Sequence, residues 1–338
     1  MKAALMRSPG VLDVEDVGDP TLPRGGALLR VLACAVCGTD VKMLEKGHRD
    51  LTYPRIPGHE VTAEVLESDS DMVAEGAIVQ VWPGEACGSC PHCHAGNDNL
   101  CPQVRIMGFN ADGGMAERIS VSDPSRLVPI GDADPVMMTL AEPLACCVNA
   151  QEKLRVGDGD SVLVLGGGPM GCLNAFLARR RGARTVMLSE PVLERLDHVP
   201  ERLFDNVSRP EGDELADMVR QGTNGAGADV IIPCTPNVRL ERGLFDLLAP
   251  GGRLCVFSGP RHEDSTVEVD LRNVHYRELT VVGSYGNSSR HDRLAVGLLR
   301  EGADLSWMFT GRFGLDEVRQ AFEHASGRRG QRSVIVFD

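Results

Sequence analysis

Aromatic side chains are scarce: two Trp, three Tyr and nine Phe make up only 4% of the 338 residues. This weakly disfavours a pocket for a flat aromatic ligand and leaves most core packing to aliphatic side chains. Lysine is scarcer still, confined to Lys2, Lys42, Lys46 and Lys153, and the remaining basic residues are Arg with no basic block. The formal net charge is −13. A surface built for polyphosphate needs the opposite sign, so nucleic acid is disfavoured as a partner. No apolar run approaches the roughly 18 residues of a membrane helix. The first ten residues lack the apolar core and cleavage site of a secretory signal. With eleven Cys and no such signal, a reducing, cytoplasmic setting without a membrane partner is expected.

What the chain does have is a cysteine cluster. Cys87, Cys90, Cys93 and Cys101 follow C-x2-C-x2-C-x7-C spacing in a stretch rich in Gly, Pro and Asn. Such spacing lets a short lobe of about residues 84–103 gather its sulfurs into a tetrahedron about 2.3 Å from a zinc ion. Four Cys leave no open position, which points to a structural metal. A disulfide knot or a set of unrelated buried thiols is the alternative, and a redox pair needs only two of the four.

Texture divides the chain. Up to about residue 143, short strands (Ala27–Ala33, Val61–Glu67, Ala77–Val81, Glu117–Val121) are broken by Gly and Pro, as in a small irregular β-barrel. From residue 144 to 283, the apolar runs Val162–Leu165, Thr185–Leu188, Asp229–Ile232, Arg253–Phe257 and Leu279–Val282 alternate with intervals of helix length. Continuous Val, Ile and Leu fit strands buried on both faces of a parallel sheet. Residues 284–338 hold two amphipathic helices and a last strand, a return to the first domain.

Gly166, Gly168 and Gly171, with Pro169 and Met170 between them, form G-x-G-x-x-G after a strand and at the start of a helix. That context gives the motif its meaning: a tight turn, close backbone approach to a pyrophosphate, and close helix packing. The helix N-terminus then offers unpaired N–H groups to the phosphates. Glu190, at the end of the next strand, can accept hydrogen bonds from both ribose hydroxyls and repels a 2′-phosphate, favouring NAD over NADP. Arg195 is a candidate to stack on the adenine, an exposed helix residue being the other reading.

Cys37 in CGTD, His59 and Glu60 in PGHE, and Glu142 in AEPLA are scattered. Singly they read as a buried thiol, a satisfied core His and a helix-start acid. In order, CGTD, PGHE, the four-Cys lobe, AEPLA and GGGPMG resemble the zinc-dependent medium-chain dehydrogenase/reductase family over essentially the whole chain. The resemblance implies an α/β fold, a Rossmann doubly wound parallel sheet inserted into a GroES-like β-barrel catalytic domain. It implies two Zn²⁺ per chain, with Cys37, His59 and Glu142 as ligands of the catalytic one and Glu60 ligating or just behind it. Glu142 stands where liver-type alcohol dehydrogenases carry a second Cys, nearer the sorbitol and threonine dehydrogenase branches. One thiolate, one imidazole and one carboxylate would cancel the metal's +2 charge and leave an open position.

The expected reaction is oxidation of a secondary alcohol, with hydride passing to the nicotinamide. Thr39 is placed to take the hydroxyl proton. Lys42 stands where relatives often carry a relay His. His48 is then a candidate replacement, a surface His being the alternative. Tyr53, Glu85, Phe109, Ser258 and Tyr285 are pocket candidates by motif position, Ser258 also toward the cofactor and Glu85 toward a substrate amine. The expected substrate is a polar small molecule: a polyol, sugar, cyclitol or aminocyclitol, including aminoglycosides. L-threonine 3-dehydrogenase activity is the nearest rival, followed by a zinc-free quinone reductase and a non-catalytic scaffold. The open edge of Leu279–Val282 needs a partner, which in this family is a second subunit; a homodimer or homotetramer is expected. The remaining thiols, Cys34, Cys146, Cys147, Cys172, Cys234 and Cys255, read as core residues.

Overall fold

A computed structural model describes residues 1–209, 213–235, 242–259, 265–328 and 330–338. The chain forms two compact units, Met1–Ala145 with Asn287–Asp338, and Cys146–Gly286. The sequence set the crossings at 143 and 283; a helix, Ala141–Leu154, runs through the first of them.

The first unit is built on a seven-stranded sheet. Its long middle strand, Ala27–Val36, pairs antiparallel with Glu60–Ser68 along one edge. Arg118–Val121 and Arg332–Val336 share the other edge, the former against residues 27–30 and the latter against 33–36. Ile78–Val81, Leu127–Pro129 and Phe309–Phe313 extend the sheet at its ends. Val, Leu and Ala residues of these strands pack into one core with Met6, Met43, Met107, Met115 and the helix Val318–Gly327. The N-terminal residues read as strand-like in the sequence; they form a hairpin, Lys2–Ser8 with Val11–Asp16, whose second strand was not apparent there.

The second unit is a six-stranded, wholly parallel sheet. Its spatial order is Asn206–Ser208, Thr185–Ser189, Ser161–Leu165, Ala228–Pro233, Leu248–Val256, Thr280–Gly283. By chain position that is 3-2-1-4-5-6, the doubly wound order in which ligands bind where the direction of winding reverses. That point lies beside Ser161–Leu165, all five of whose residues are buried. Both faces of the strand are covered, which is why its apolar run is continuous instead of alternating.

Leu163 is fully buried at the centre of this sheet, whereas Val207 is 47% exposed on its edge strand. Leu163→Ala should lower the unfolding free energy by about 2–5 kcal/mol. Val207→Ala should change it by no more than about 0.5 kcal/mol. Denaturant titration of the two variants checks the contrast.

Candidate active site

Strand register assembles the scattered residues. Ala35 pairs with Glu60, so the chain just past Ala27–Val36 runs alongside His59 and Glu60. There Cys37 caps the helix Gly38–Lys46: its backbone N–H donates to Asp40 Oδ2 at 2.9 Å, and Thr39 N–H donates to its sulfur at 3.4 Å. His59 follows Gly58, which has φ +98°; a Cβ there would lie 2.5 Å from Cys34 Sγ and 2.9 Å from Met115 Cγ. Only glycine turns the chain at that point. Cys37, His59 and Glu60 each bring one donor atom within 4.8 Å of the others.

Around this trio the buried groups are incompletely satisfied. Asp40 Oδ1, His59 Nδ1 and Glu60 Oε1 are buried without a hydrogen-bond partner. Asp40 Oδ1 lies 3.4 Å from His59 Nδ1, so one carboxylate addresses both the thiol's residue and the imidazole. Glu60 Oε2 is ion-paired with Arg332 Nη2, and both residues are almost wholly buried. Burial raises the Cys37 thiol, but the hydrogen bond and charge of His59 outweigh it and the net shift is downward. Burial likewise opposes protonation of His59, yet the nearby charge of Asp40, with that of Cys37, holds it well above the usual range. Burial lowers Arg332 against the pull of Cys37 and Asp40. A thiolate, an imidazole and a carboxylate with unsatisfied buried atoms form a donor set that fits zinc.

Glu142 stands outside that trio. In the first turn of Ala141–Leu154, its Oε1 accepts from Asn287 Nδ2 at 2.8 Å. Nearby Asp292 accepts from Gln80 Nε2 at 3.2 Å. Burial, then the charge of Glu142, push the Asp292 carboxyl well above the usual range. The sequence grouped Cys37, His59 and Glu142 as ligands with Glu60 ligating or just behind; the folded chain groups Glu60 with the first two.

Thr39 is half-buried beside the Cys37 sulfur, and Lys42 is exposed. His48 is half-buried, its ring edge-on to Phe109 at 5.3 Å, and Phe109 lies 5.2 Å from the His59 ring. The Asp50 N–H donates to His48 Nδ1 at 3.2 Å, and burial lowers the pKa of the ring. With Nδ1 accepting, Nε2 carries the ring proton, on the aromatic wall that reaches His59. Glu85 is engaged with Ser122 Oγ at 3.0 Å and Arg105 at 3.4 Å. Tyr53 donates to Met43 O at 2.9 Å, and Tyr285 is 45% exposed.

Cys87, Cys90, Cys93 and Cys101 also place their sulfurs within 4.8 Å of one another. The Cys87–Cys93 and Cys90–Cys93 separations are 3.9 and 3.5 Å. Sulfurs about 2.3 Å from a tetrahedral zinc stand about 3.8 Å apart, so this set fits the ion too. Ser289 ties the lobe down through Asp98, N–H to Oδ1 at 3.0 Å and Oγ to Oδ2 at 2.6 Å.

In the second unit, the glycine turn follows Ser161–Leu165 at the switch point. Gly166 has φ +104°, and a Cβ on Gly171 would stand 1.9 Å from Gly166 O. Gly168 caps the helix Pro169–Arg180 with no side-chain bond, leaving its N-terminal N–H groups for an anion. Glu190 is buried; Oε2 accepts from Gly167 N–H at 2.6 Å and Oε1 from Val192 N–H at 2.8 Å. Arg195 lies in the 3-10 segment Leu193–His198 with Nη1 3.8 Å from Glu190 Oε2, so it is not a solvent-facing helix residue. Ser258 is half-buried just past Leu248–Val256.

Sequence reading missed Asp40, Arg332 and Asn287. Asp40 carried a signal, an acid three residues after a capping position. Arg332 and Asn287 carried none, because only sheet pairing and helix placement bring them to Glu60 and Glu142.

Residues 23–132 match the family description "Alcohol dehydrogenase GroES-like domain" and residues 169–300 match "Zinc-binding dehydrogenase". A D-altritol 5-dehydrogenase of Agrobacterium fabrum is 30% identical over 89% of each chain. An L-threonine 3-dehydrogenase of Rhizobium johnstonii is 28% identical over 100% of this chain and 98% of its own. A crystal structure described as a zinc-binding dehydrogenase from Sinorhizobium meliloti 1021 bound to NADP superposes with a TM-score of 0.88, at 32% identity over 99% of each chain.

Gly171→Ala should weaken dinucleotide binding about tenfold or more, about 1.4 kcal/mol, in a fluorescence titration, with metal content unchanged. Burial pushes the Cys172 and Cys255 thiols up to about 12. Both should therefore escape maleimide at about pH 8 in the native protein and react once it is unfolded; mass spectrometry reads the difference.

Proposed function

Because the chain belongs to the zinc-dependent alcohol dehydrogenases of the medium-chain dehydrogenase/reductase family, we propose that it oxidises a secondary alcohol of a polyol, sugar or cyclitol to a ketone. NAD is the proposed hydride acceptor, and two zinc ions the proposed metal complement. The observation that carries the reading is the trio of half-buried Cys37 with buried His59 and Glu60 in a chain that also builds the glycine turn with Glu190.

Bound at Cys37 and His59, zinc supplies Lewis acidity that brings an alcohol hydroxyl toward neutral acidity. The dinucleotide supplies the hydride acceptor. Thr39, beside the Cys37 sulfur, takes the hydroxyl proton at Oγ and can pass on its own, since a hydroxyl donates and accepts at once. Exposed Lys42 is no relay imidazole. His48 offers Nε2–H from the Phe109 wall, suited to a neutral hydroxyl-rich substrate. Asp40 orients both Cys37 and His59.

Two carboxylates with one thiolate would carry −3, too much negative charge for an effective Lewis acid. Arg332 beside Glu60 brings the set to −2, which matches the metal's +2. This supports Glu60 and Glu142 both serving the site without weakening it. Buried Glu190, with its carboxylate at the ribose end of the turn, supports NAD over NADP. The altritol-oxidising relative supports a polyol. The threonine-oxidising relative, matched over the full chain, supports a β-hydroxy amino acid as the second reading.

We propose a homodimer or homotetramer formed through the edge strand Thr280–Gly283, where Val281 is 47% exposed. The proposed setting is the cytoplasm, where eleven free thiols stay reduced. Among the described residues no helix is long and apolar enough to cross a membrane.

A cofactor-reduction assay with polyols, inositols, aminocyclitols and L-threonine, run with NAD and with NADP, tests the reading. Polyol or cyclitol oxidation with NAD is expected; turnover of threonine alone moves the assignment to the second reading. Glu190→Ala should shift the NAD:NADP ratio of kcat/KM toward NADP by about tenfold, as removal of one like-charge contact worth about 1.4 kcal/mol requires. Arg332→Leu should destabilise the fold by about 3–5 kcal/mol, because it strands a buried carboxylate; denaturant titration measures it.

A further inference from the structure

We propose that Asn287, held by Trp82, is a positioning residue that locks the Glu142 carboxylate in the orientation in which it serves the metal; the proposal rests on the reading of Glu142 as a metal ligand. Three side chains of the first unit form a buried chain. Trp82, Asn287 and Glu142 are 5%, 6% and 8% exposed. Trp82 Nε1 donates to Asn287 Oδ1 at 3.0 Å, and Asn287 Nδ2 donates to Glu142 Oε1 at 2.8 Å. The same Nδ2 lies 3.4 Å from the main-chain oxygen of Glu142. One amide thus ties the carboxylate to its own backbone.

The direction of this chain is fixed by chemistry. An indole N–H only donates, so the oxygen of the Asn287 amide must face Trp82. Its NH₂ must then face Glu142, where it meets an ionised carboxylate as a donor. Turned the other way, the amide would set N–H against N–H and oxygen against carboxylate. Burial of its ring holds Trp82 in this role. A glutamate otherwise samples several rotamers, and fixing it before the metal arrives removes that entropy from binding. Hydrogen-bond partners of metal-bound side chains commonly contribute 10–100-fold to metal affinity.

Zinc affinity of the full-length protein, stripped of metal and titrated against a chromophoric chelator, tests the proposal. A Cys37→Ser control identifies which binding step belongs to this site. Asn287→Asp keeps the shape and the bond from Trp82, but turns an oxygen toward the carboxylate. It should lose about 10–100-fold in affinity at this step and none at the four-Cys step. Trp82→Phe, which frees the amide to turn, should show a smaller loss in the same direction. Melting of the metal-free variants separates misfolding from mispositioning, and the two shape-conserving changes keep the test open if Asn287→Ala fails to fold. If Glu142→Ala loses more than about tenfold while Asn287→Asp stays within twofold, the brace is refuted and the reading of Glu142 survives. If Glu142→Ala changes nothing, that reading falls and the brace with it.

Discussion

The buried Glu60–Arg332 pair is the constraint on which the metal-binding end of the first unit depends. A carboxylate fully removed from water is tolerable only with a counter-charge or a metal beside it. Arg332 comes from nearly the other end of the chain. It arrives because Arg332–Val336 joins the same strand that ends at Cys37: Ser333 pairs with Val36 on one edge, and Ala35 pairs with Glu60 on the other. The C-terminal strand therefore does more than close a sheet. It delivers the cation that lets Glu60 sit beside a thiol and an imidazole.

Asp40 plays the matching role for the other two residues. Its two oxygens address the Cys37 N–H and His59 Nδ1, so helix capping and imidazole orientation share one side chain. An imidazole whose Nδ1 faces a carboxylate presents Nε2 outward as a metal ligand. The second unit solves a different problem with backbone alone. Gly166 and Gly171 permit a turn that no larger residue could make, and Glu190 secures that turn through the Gly167 N–H.

Much of this was legible in the sequence, and the exceptions share a cause. The parallel strands announced themselves as apolar runs because both their faces are covered, and the glycine motif because a turn of that shape tolerates little else. The four Cys were legible because a closed tetrahedron is built from local spacing. The short strand Asn206–Ser208 was missed: three residues at a sheet edge, the middle one exposed and its neighbours half-buried, carry no pattern. How Glu60 and Glu142 are each placed was also beyond a one-dimensional reading. Spacing shows that two acids are available, while only the fold shows that Glu60 lies within 4.8 Å of the thiol and imidazole and that Asn287 bonds the Glu142 carboxylate. Glu85 looked free in the sequence and is occupied in the fold by Ser122 and Arg105.

The central claim is that the chain carries a reactive metal at Cys37 and His59, separate from the one its four clustered thiols would hold. Anomalous diffraction at the zinc absorption edge, from crystals of the zinc-loaded protein, addresses it directly. The account requires two peaks per chain, one within bonding distance of Cys37 Sγ and His59 and the other enclosed by Cys87, Cys90, Cys93 and Cys101. A single peak at the four-Cys lobe, with ordered but unliganded Cys37 and His59, would contradict it.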